Sequence, residues 1–545
     1  MDFQRIILIA ALSFTLLMLW NAWQRDYGPQ PTTSPAESTT TTPAATTDVP
    51  AAPSVAATPG TAELPQAATP SGKRIHVVTD LFDADIDSIG GDLRRVDLLK
   101  FPVAVDKPNE PIRLLNDGPG EYFVAQSALL PVGSDQVAPT HTSEFVANAS
   151  AYQLQPGETT LRVPMAWSDG KGLEVTKIYT FHRDSYVIDV DFQIKNNSDK
   201  PWQGAAYRQL QRSDPGTGSS LTNRTYTGAV ISTDEKNYSK VSFKDMEKEQ
   251  LSIDTQQGWV AMMQHYFLGA WIPATEGKHH IYSKPLGDNR YMIGMYDPTV
   301  TVEPGKEVVI PAKLYVGPKH TDVLAGVAPN LERTVDYGWL TLLAKPLFLA
   351  LKFIHGLVQN WGWSIIILTI LIKLAFYKLS AASYKSMAHM RQVQPKMAAL
   401  KERYGDDKQK YQEAMMKLYR EEKINPLGGC LPILVQIPVF IALYYMLLES
   451  VEMRQAPFIL WIKDLSIADP YYVLPILMGV TMLIQHRLNP TPLDPIQARV
   501  MMVLPIVFTF FFIFFPAGLV VYWVVNNTLS IAQQWYITRA MTKKA

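Results

Sequence analysis

The run Trp361–Lys378, WGWSIIILTILIKLAFYK, constrains this chain most, because it is apolar enough for a membrane interior yet carries one lysine, Lys373. At a helical rise of about 1.5 Å per residue, Lys373 lies roughly 18 Å from Trp361, in a hydrocarbon core about 30 Å thick. A cation at the centre of a spanning helix costs about 2.5–3.5 kcal/mol on insertion scales, which snorkelling from one end lowers. The default reading is a functional site. The structural alternative is a polar group that hydrogen-bonds between helices.

The rest of the chain divides around this run. Residues 1–27 contain the apolar stretch Ile6–Trp23 after Arg5, without an A-x-A cleavage pattern, and read as an uncleaved anchor rather than a signal peptide. Residues 28–72 are Pro, Thr, Ala and Ser with few large apolar residues, a disordered linker. Residues 73–330 alternate polar and apolar in short runs, such as Leu173–Phe181, Tyr186–Ile194, Trp259–Met263 and Lys306–Val316, which predicts an antiparallel β-sandwich. The charged stretch Asp234–Gln250 reads as an exposed loop or short helix. Residues 331–346, with Trp339, Leu340, Leu342 and Leu343 before Pro346, fit an amphipathic helix in the membrane interface or an outward extension of the next segment.

Residues 347–545 hold five apolar segments, at about 361–377, 427–448, 471–485, 501–515 and 518–537, so the anchor makes six transmembrane helices. Lys378–Pro426 carries eleven Lys and Arg, whereas Glu449–Pro470 carries only Arg454 and Lys463. Basic residues accumulate on the cytoplasmic side, so the first loop and the N-terminus are cytoplasmic and the β domain lies across the membrane. Within residues 380–424, Met390, Val393, Met397, Leu400 and Tyr404 recur at spacings of three and four. After Gly405–Asp407, Tyr411, Met415 and Leu418 resume the pattern, which describes a two-helix hairpin.

Several chemistries are excluded. Cys430 is the only cysteine, so neither an intrachain disulfide nor a Cys-based zinc site can form. His182, His265, His279 and His280 fit no metal-ligand spacing, and no phosphate loop, nucleophile elbow or dinucleotide pattern is present. No motif for ATP hydrolysis is found, and the residues call for no cofactor, no metal and no direct nucleic-acid site. The polar residues that remain sit in the apolar segments: Thr369 and Lys373, Gln436, Thr481 and Gln485, then Tyr522, Asn526, Asn527 and Ser530. No Asp or Glu lies at comparable depth to neutralise Lys373, which implies water reaching it through a concavity open to the cytoplasm.

The runs NWGWSIII (Asn360–Ile367), QPK (Gln394–Lys396), NPLGGCLP (Asn425–Pro432), LYYML (Leu443–Leu447), DPYYVLPILMG (Asp469–Gly479) and FPAGLVVYW (Phe515–Trp523), in this order, resemble the YidC membrane-protein insertases. That family includes the mitochondrial Oxa and chloroplast Alb proteins, and the tethered β domain and DYGWL at Asp336–Leu340 look like the Gram-negative form. The resemblance implies a polytopic inner-membrane protein with a five-helix core around a hydrophilic groove, plus an all-β periplasmic β-supersandwich domain. It implies an insertase and chaperone for nascent membrane proteins, working with membrane lipids, the ribosome or signal-recognition-particle pathway, and the Sec translocon or alone. By position, Lys373 stands where relatives carry arginine, Thr369 and Trp523 match substrate-touching positions, and Gln436 matches a groove-lining glutamine. Tyr522 and Asn526 complete the candidate groove. Met387, Arg391, Lys396, Lys401, Lys408 and Lys410 form the candidate docking face of the hairpin. Lysine keeps the charge but loses the planar fork for bidentate carboxylate capture.

Two rival readings remain from the residues alone. An intramembrane lysine also suits an ion-coupled or lipid transporter, which inverted repeats would favour, although none is visible between the halves. The β domain also suits a membrane-anchored carbohydrate enzyme, which would need a carboxylate or histidine site.

Overall fold

A computed structural model describes residues 72–118, 120–133, 135–216, 225–404, 407–422, 431–489 and 495–542. The anchor at 1–27 and nearly all of the linker lie outside them, as do most of NPLGGCLP and the Gly405–Asp406 tip. Residues 74–318 form two stacked sheets of eleven and ten strands, antiparallel except where Arg74–Val78 meets Ala151–Gln153. Period-two patterning builds them: Leu173–His182 and Val187–Asn196 pair over nine positions, and along the second strand the residues at 188, 190, 192 and 194 are buried. Phe82, Leu93 and Val96 of one sheet meet Phe181, Ile188 and Leu314 of the other in the core between the sheets.

The structure divides one stretch of the sequence reading and adds a strand beside the short helix in another. Lys306–Val316 is two strands, Lys306–Ile310 and Ala312–Pro318, divided at Pro311, which has no N–H to give a ladder. Asp234–Gln250 contains the strand Ser239–Val241 and the helix α1, Phe243–Lys248, which a Ser242–Asp245 capping box starts and buried Phe243 and Met246 hold down.

Trp259–Met263 is buried along its whole length because both faces are covered. Val260 and Met262 enter the inter-sheet core, while Trp259, Ala261 and Met263 join a second cluster with Leu324 and Leu331. That second cluster follows the chain out of the β domain. Helix α2 (Thr321–Val327) leads to short 3₁₀ turns at Leu331–Thr334 and Gly338–Leu340, and then α3 runs Thr341–Val358. The helix therefore passes through Pro346 and ends twelve residues beyond the 346 boundary read from the sequence. Leu340, Ala344, Phe348, Leu351 and Ile354 bury one face, while Trp339, Leu342, Phe353 and Leu357 remain exposed on the other.

The remaining helices are α4 (Trp361–Ala375), α5 (Tyr377–Tyr404), α6 (Lys408–Glu421), α7 (Leu431–Glu449), α8 (Val473–Leu488), α9 (Pro495–Phe512) and α10 (Ala517–Thr542). Each of the five apolar segments overlaps one of α4, α7, α8, α9 and α10, with ends shifted by a few residues. Among the described residues only Gly338–Val358 is by itself long and apolar enough to cross a membrane, and α4 joins α5 at a 67° bend. Helix α10 packs against α4, α5, α7 and α8. The segment before α8 locks the start of α10: Ala517 N–H donates to the Ile467 carbonyl at 2.7 Å and Gly518 N–H to that of Leu465 at 2.9 Å. Asn360 caps α4 by accepting from Trp363 N–H at 3.1 Å and reaches the Phe458 carbonyl with its amide, also at 3.1 Å.

The β domain and helices also meet through polar contacts. Lys319 Nζ lies 3.2 Å from Glu449 Oε2, His265 Nε2–H donates to the Leu448 carbonyl at 2.9 Å, and Arg454 Nη2 donates to the Pro102 carbonyl at 2.6 Å.

Candidate functional site

Lys373 lies in the last turn of α4, where the negative end of the helix dipole favours a cation. Its Nζ donates to Ser530 Oγ of α10 at 2.7 Å, and Ser530 Oγ donates to the Asn526 carbonyl one turn earlier, at 2.7 Å. Gln436 Nε2 of α7 donates to Asn526 Oδ1 at 2.5 Å. One turn of α10 therefore bridges α4 and α7. Among the described residues no carboxylate pairs with Lys373, whose ammonium is half-buried. It opens on a small cavity of about 20 Å³ with Gln436, Phe376 and Ser380, room for about one water.

The other residues singled out lie around this cluster. Thr369 is buried, and its hydroxyl donates to the Ile365 carbonyl of its own helix at 2.7 Å. The Trp523 ring wedges between Phe440, at 4.4 Å between centroids, and Phe512, at 5.0 Å. Tyr522 is buried beside Phe440, with its hydroxyl towards Gln436. Asn527 Nδ2 donates to Thr481 Oγ1 at 3.2 Å and ties α10 to α8. The structure thus gathers Lys373, Gln436 and Asn526, while Thr369 and Trp523 face packed surroundings. Ser530 belongs to the cluster; the sequence reading named it among the polar residues of the apolar segments but not in the groove, and its spacing of four from Asn526 was the available signal.

In the hairpin, Val393 and Met397 of α5 bury against Met415 and Leu418 of α6, with Met390, Leu400 and Tyr411 beside them. Lys396 Nζ reaches Glu422 Oε1 at 2.6 Å across the two arms, and Lys410 pairs with Asp407 at 3.2 Å. Arg391, Lys401 and Lys410 are exposed, Met387 is half-buried, and Lys408 opens α6.

Comparison with known families covers nearly all of this architecture. Residues 74–350 match the model of the YidC periplasmic domain, and residues 353–544 match that of the 60Kd inner membrane protein. The chain belongs to the YidC membrane protein insertase family. YidC insertases are non-enzymatic inner-membrane proteins that carry a periplasmic domain. The membrane protein insertase YidC of Methylococcus capsulatus is 51% identical over 545 residues, covering 100% of this chain and 99% of that protein. That of Nitrosococcus oceani is 50% identical over 554 residues and covers 100% of both. A crystal structure of an active YidC insertase with its first transmembrane domain resolved aligns at 20% identity, covering 86% of this chain and 93% of that one, with a TM-score of 0.40.

Proposed function

We propose that this YidC-family chain inserts nascent membrane proteins through a hydrophilic groove floored by Lys373 and open to the cytoplasm and to lipid. The observation that carries the reading is the Lys373 ammonium, held by Ser530 at the meeting of α4, α7 and α10 with no carboxylate partner among the described residues. Two unit charges about 4 Å apart attract by about 4 kcal/mol at an effective dielectric near 20, so an acidic residue of an incoming hydrophilic tail gains a counter-charge part-way into the membrane. The substrate's apolar helix leaves along the outward faces of α7 and α9. Burial of its surface in lipid supplies about 25 cal/mol per Å² without nucleotide, and membrane potential adds about 2.3 kcal/mol per charge per 100 mV.

In this reading α4, α7, α8, α9 and α10 form the spanning core, α3 lies on the outer interface, and the N-terminus and hairpin are cytoplasmic. The hairpin receives chains from the ribosome or signal-recognition-particle pathway, and the Sec translocon is a second partner. The test is insertion of a short single-span substrate with an acidic tail into liposomes containing the purified protein. Lys373→Ala is expected to lower the insertion rate about tenfold or more, Lys373→Glu further, and Lys373→Arg to retain it. Insertion by Lys373→Ala and Lys373→Glu at the rate of the unaltered protein overturns the charge-capture reading.

A further inference from the structure

A polar cavity of about 340 Å³ lies between the β domain and the turn that follows α7. Arg113, Arg212 and Arg454 line it together with Glu121, Gln264 and Phe267. Arg212 is 8% exposed. Its Nη2 donates to Gln264 Oε1 at 2.5 Å, its guanidinium lies 4.7 Å from the Phe123 ring centre, and its Nη1 is buried without a hydrogen-bond partner. Arg454 directs Nη2 to the carbonyls of Pro102 and Val103, at 2.6 and 3.1 Å, and its Nη1 is likewise buried and unpartnered.

Two half-satisfied guanidinium groups on one cavity call for an explanation, because buried polar groups are nearly always hydrogen-bonded. Among the described residues neither forms an ion pair. Arg113 is already engaged with Asp97 at 2.8 Å. Glu121, on the exposed rim, is the carboxylate that lines the cavity; it and Asp214 act on Arg212 electrostatically, and buried Asp464 acts on Arg454, none of them pairing with the guanidinium it faces. The two unpartnered Nη1 donors are therefore left for a ligand.

We infer that this cavity is an anion site that takes a phosphate group between Arg212 and Arg454. The planar forks of two arginines on separate elements match the several oxygens of a tetrahedral anion, and a guanidinium sheds its water readily enough to work in a half-buried site. Arg454 stands five residues after Glu449, which ends α7, so the phosphate could come from a lipid headgroup at the outer surface as well as from free solution.

The test uses the full chain in a maltoside detergent with two probes, inorganic phosphate and dihexanoyl phosphatidylglycerol below its micelle concentration. Binding is read by calorimetry and by the rise in melting temperature, against chloride at matched ionic strength. Saturable binding of one or both probes is expected, with Arg454→Gln and Arg212→Gln each weakening it at least tenfold. Removing the rim carboxylate with Glu121→Gln is expected to tighten binding a few-fold, a gain that damage to the fold would not produce. Tenfold preference for the lipid probe assigns the site to headgroups, and the opposite order assigns it to free phosphate. No saturable response to either probe, or titrations of Arg454→Gln and Glu121→Gln that overlay the unaltered protein, would overturn the proposal.

Discussion

Lys319 and Glu449 lie 130 positions apart in sequence and form a buried ion pair between the β domain and the end of α7. The two side chains are 1% and 13% exposed, their atoms lie 3.2 Å apart, and Lys319 Nζ also donates to the Thr334 carbonyl at 3.3 Å. Burial pushes the Lys319 ammonium below its usual pKa even with Glu449 beside it, so attraction only partly offsets desolvation. Two consequences follow from that balance. Lys319→Met strands a carboxylate in a nearly dry junction, which costs about 3–5 kcal/mol, whereas replacing both partners leaves no buried charge and is close to neutral. At roughly 2–4 °C per kcal/mol for a domain of this size, Lys319→Met is expected to lower the melting temperature by on the order of 10 °C. Lys319→Met with Glu449→Gln is expected to recover most of that loss. The assay is a double-mutant cycle on the detergent-solubilised full chain, followed by thermal unfolding. Losses that add, with no recovery in the double variant, refute the reasoning, because they would mean that each side chain acts on its own surroundings rather than on the other.

The other expectations concern pH, the hairpin and helix packing. Burial, reinforced by nearby Lys319, outweighs the hydrogen bond to Leu448 and holds the His265 imidazole down to about 4, from an ordinary 6.5. The folded state therefore excludes a proton that the unfolded chain binds. The stabilisation is complete above pH 6.5 and lost as pH falls towards 4, about 2 kcal/mol by pH 5; His265→Gln should flatten melting temperature between pH 5 and 7, and parallel curves would contradict this. Changing exposed Arg391, Lys401 and Lys410 to Gln is expected to leave melting within a few degrees but weaken low-salt binding of ribosome–nascent chain complexes several-fold; unchanged binding removes the docking role. A Cβ on Gly479 of α8 would overlap Thr509 Oγ1 of α9, a hydroxyl already anchored to the Pro505 carbonyl at 2.7 Å. Gly479→Ala should therefore destabilise by about 1–3 kcal/mol, with partial recovery in Gly479→Ala with Thr509→Ala, and an unshifted melting curve would show that α8 and α9 give way.

What a reader of the residues alone can obtain is whatever repeats over a few positions. The hairpin seam at Val393, Met397, Met415 and Leu418 was legible because helical neighbours recur at three and four, and the paired strands at 173–182 and 187–196 because side chains alternate at two. Lys373 was legible because a charge in an apolar run is costly wherever it lies. The tertiary structure alone decided what those residues meet. Ser530 holds Lys373 across 157 positions, Lys319 meets Glu449 across 130, and Arg212 shares a cavity with Arg454. Trp259–Met263 shows the same division: its apolar run announced a strand, but only packing supplied the reason for its second buried face, the chain returning over it at Leu324 and Leu331. Local periodicity is set by backbone geometry. The partner of a buried charge is set by which surfaces the whole chain brings together, and for Lys319 and Lys373 those surfaces are 130 and 157 positions apart.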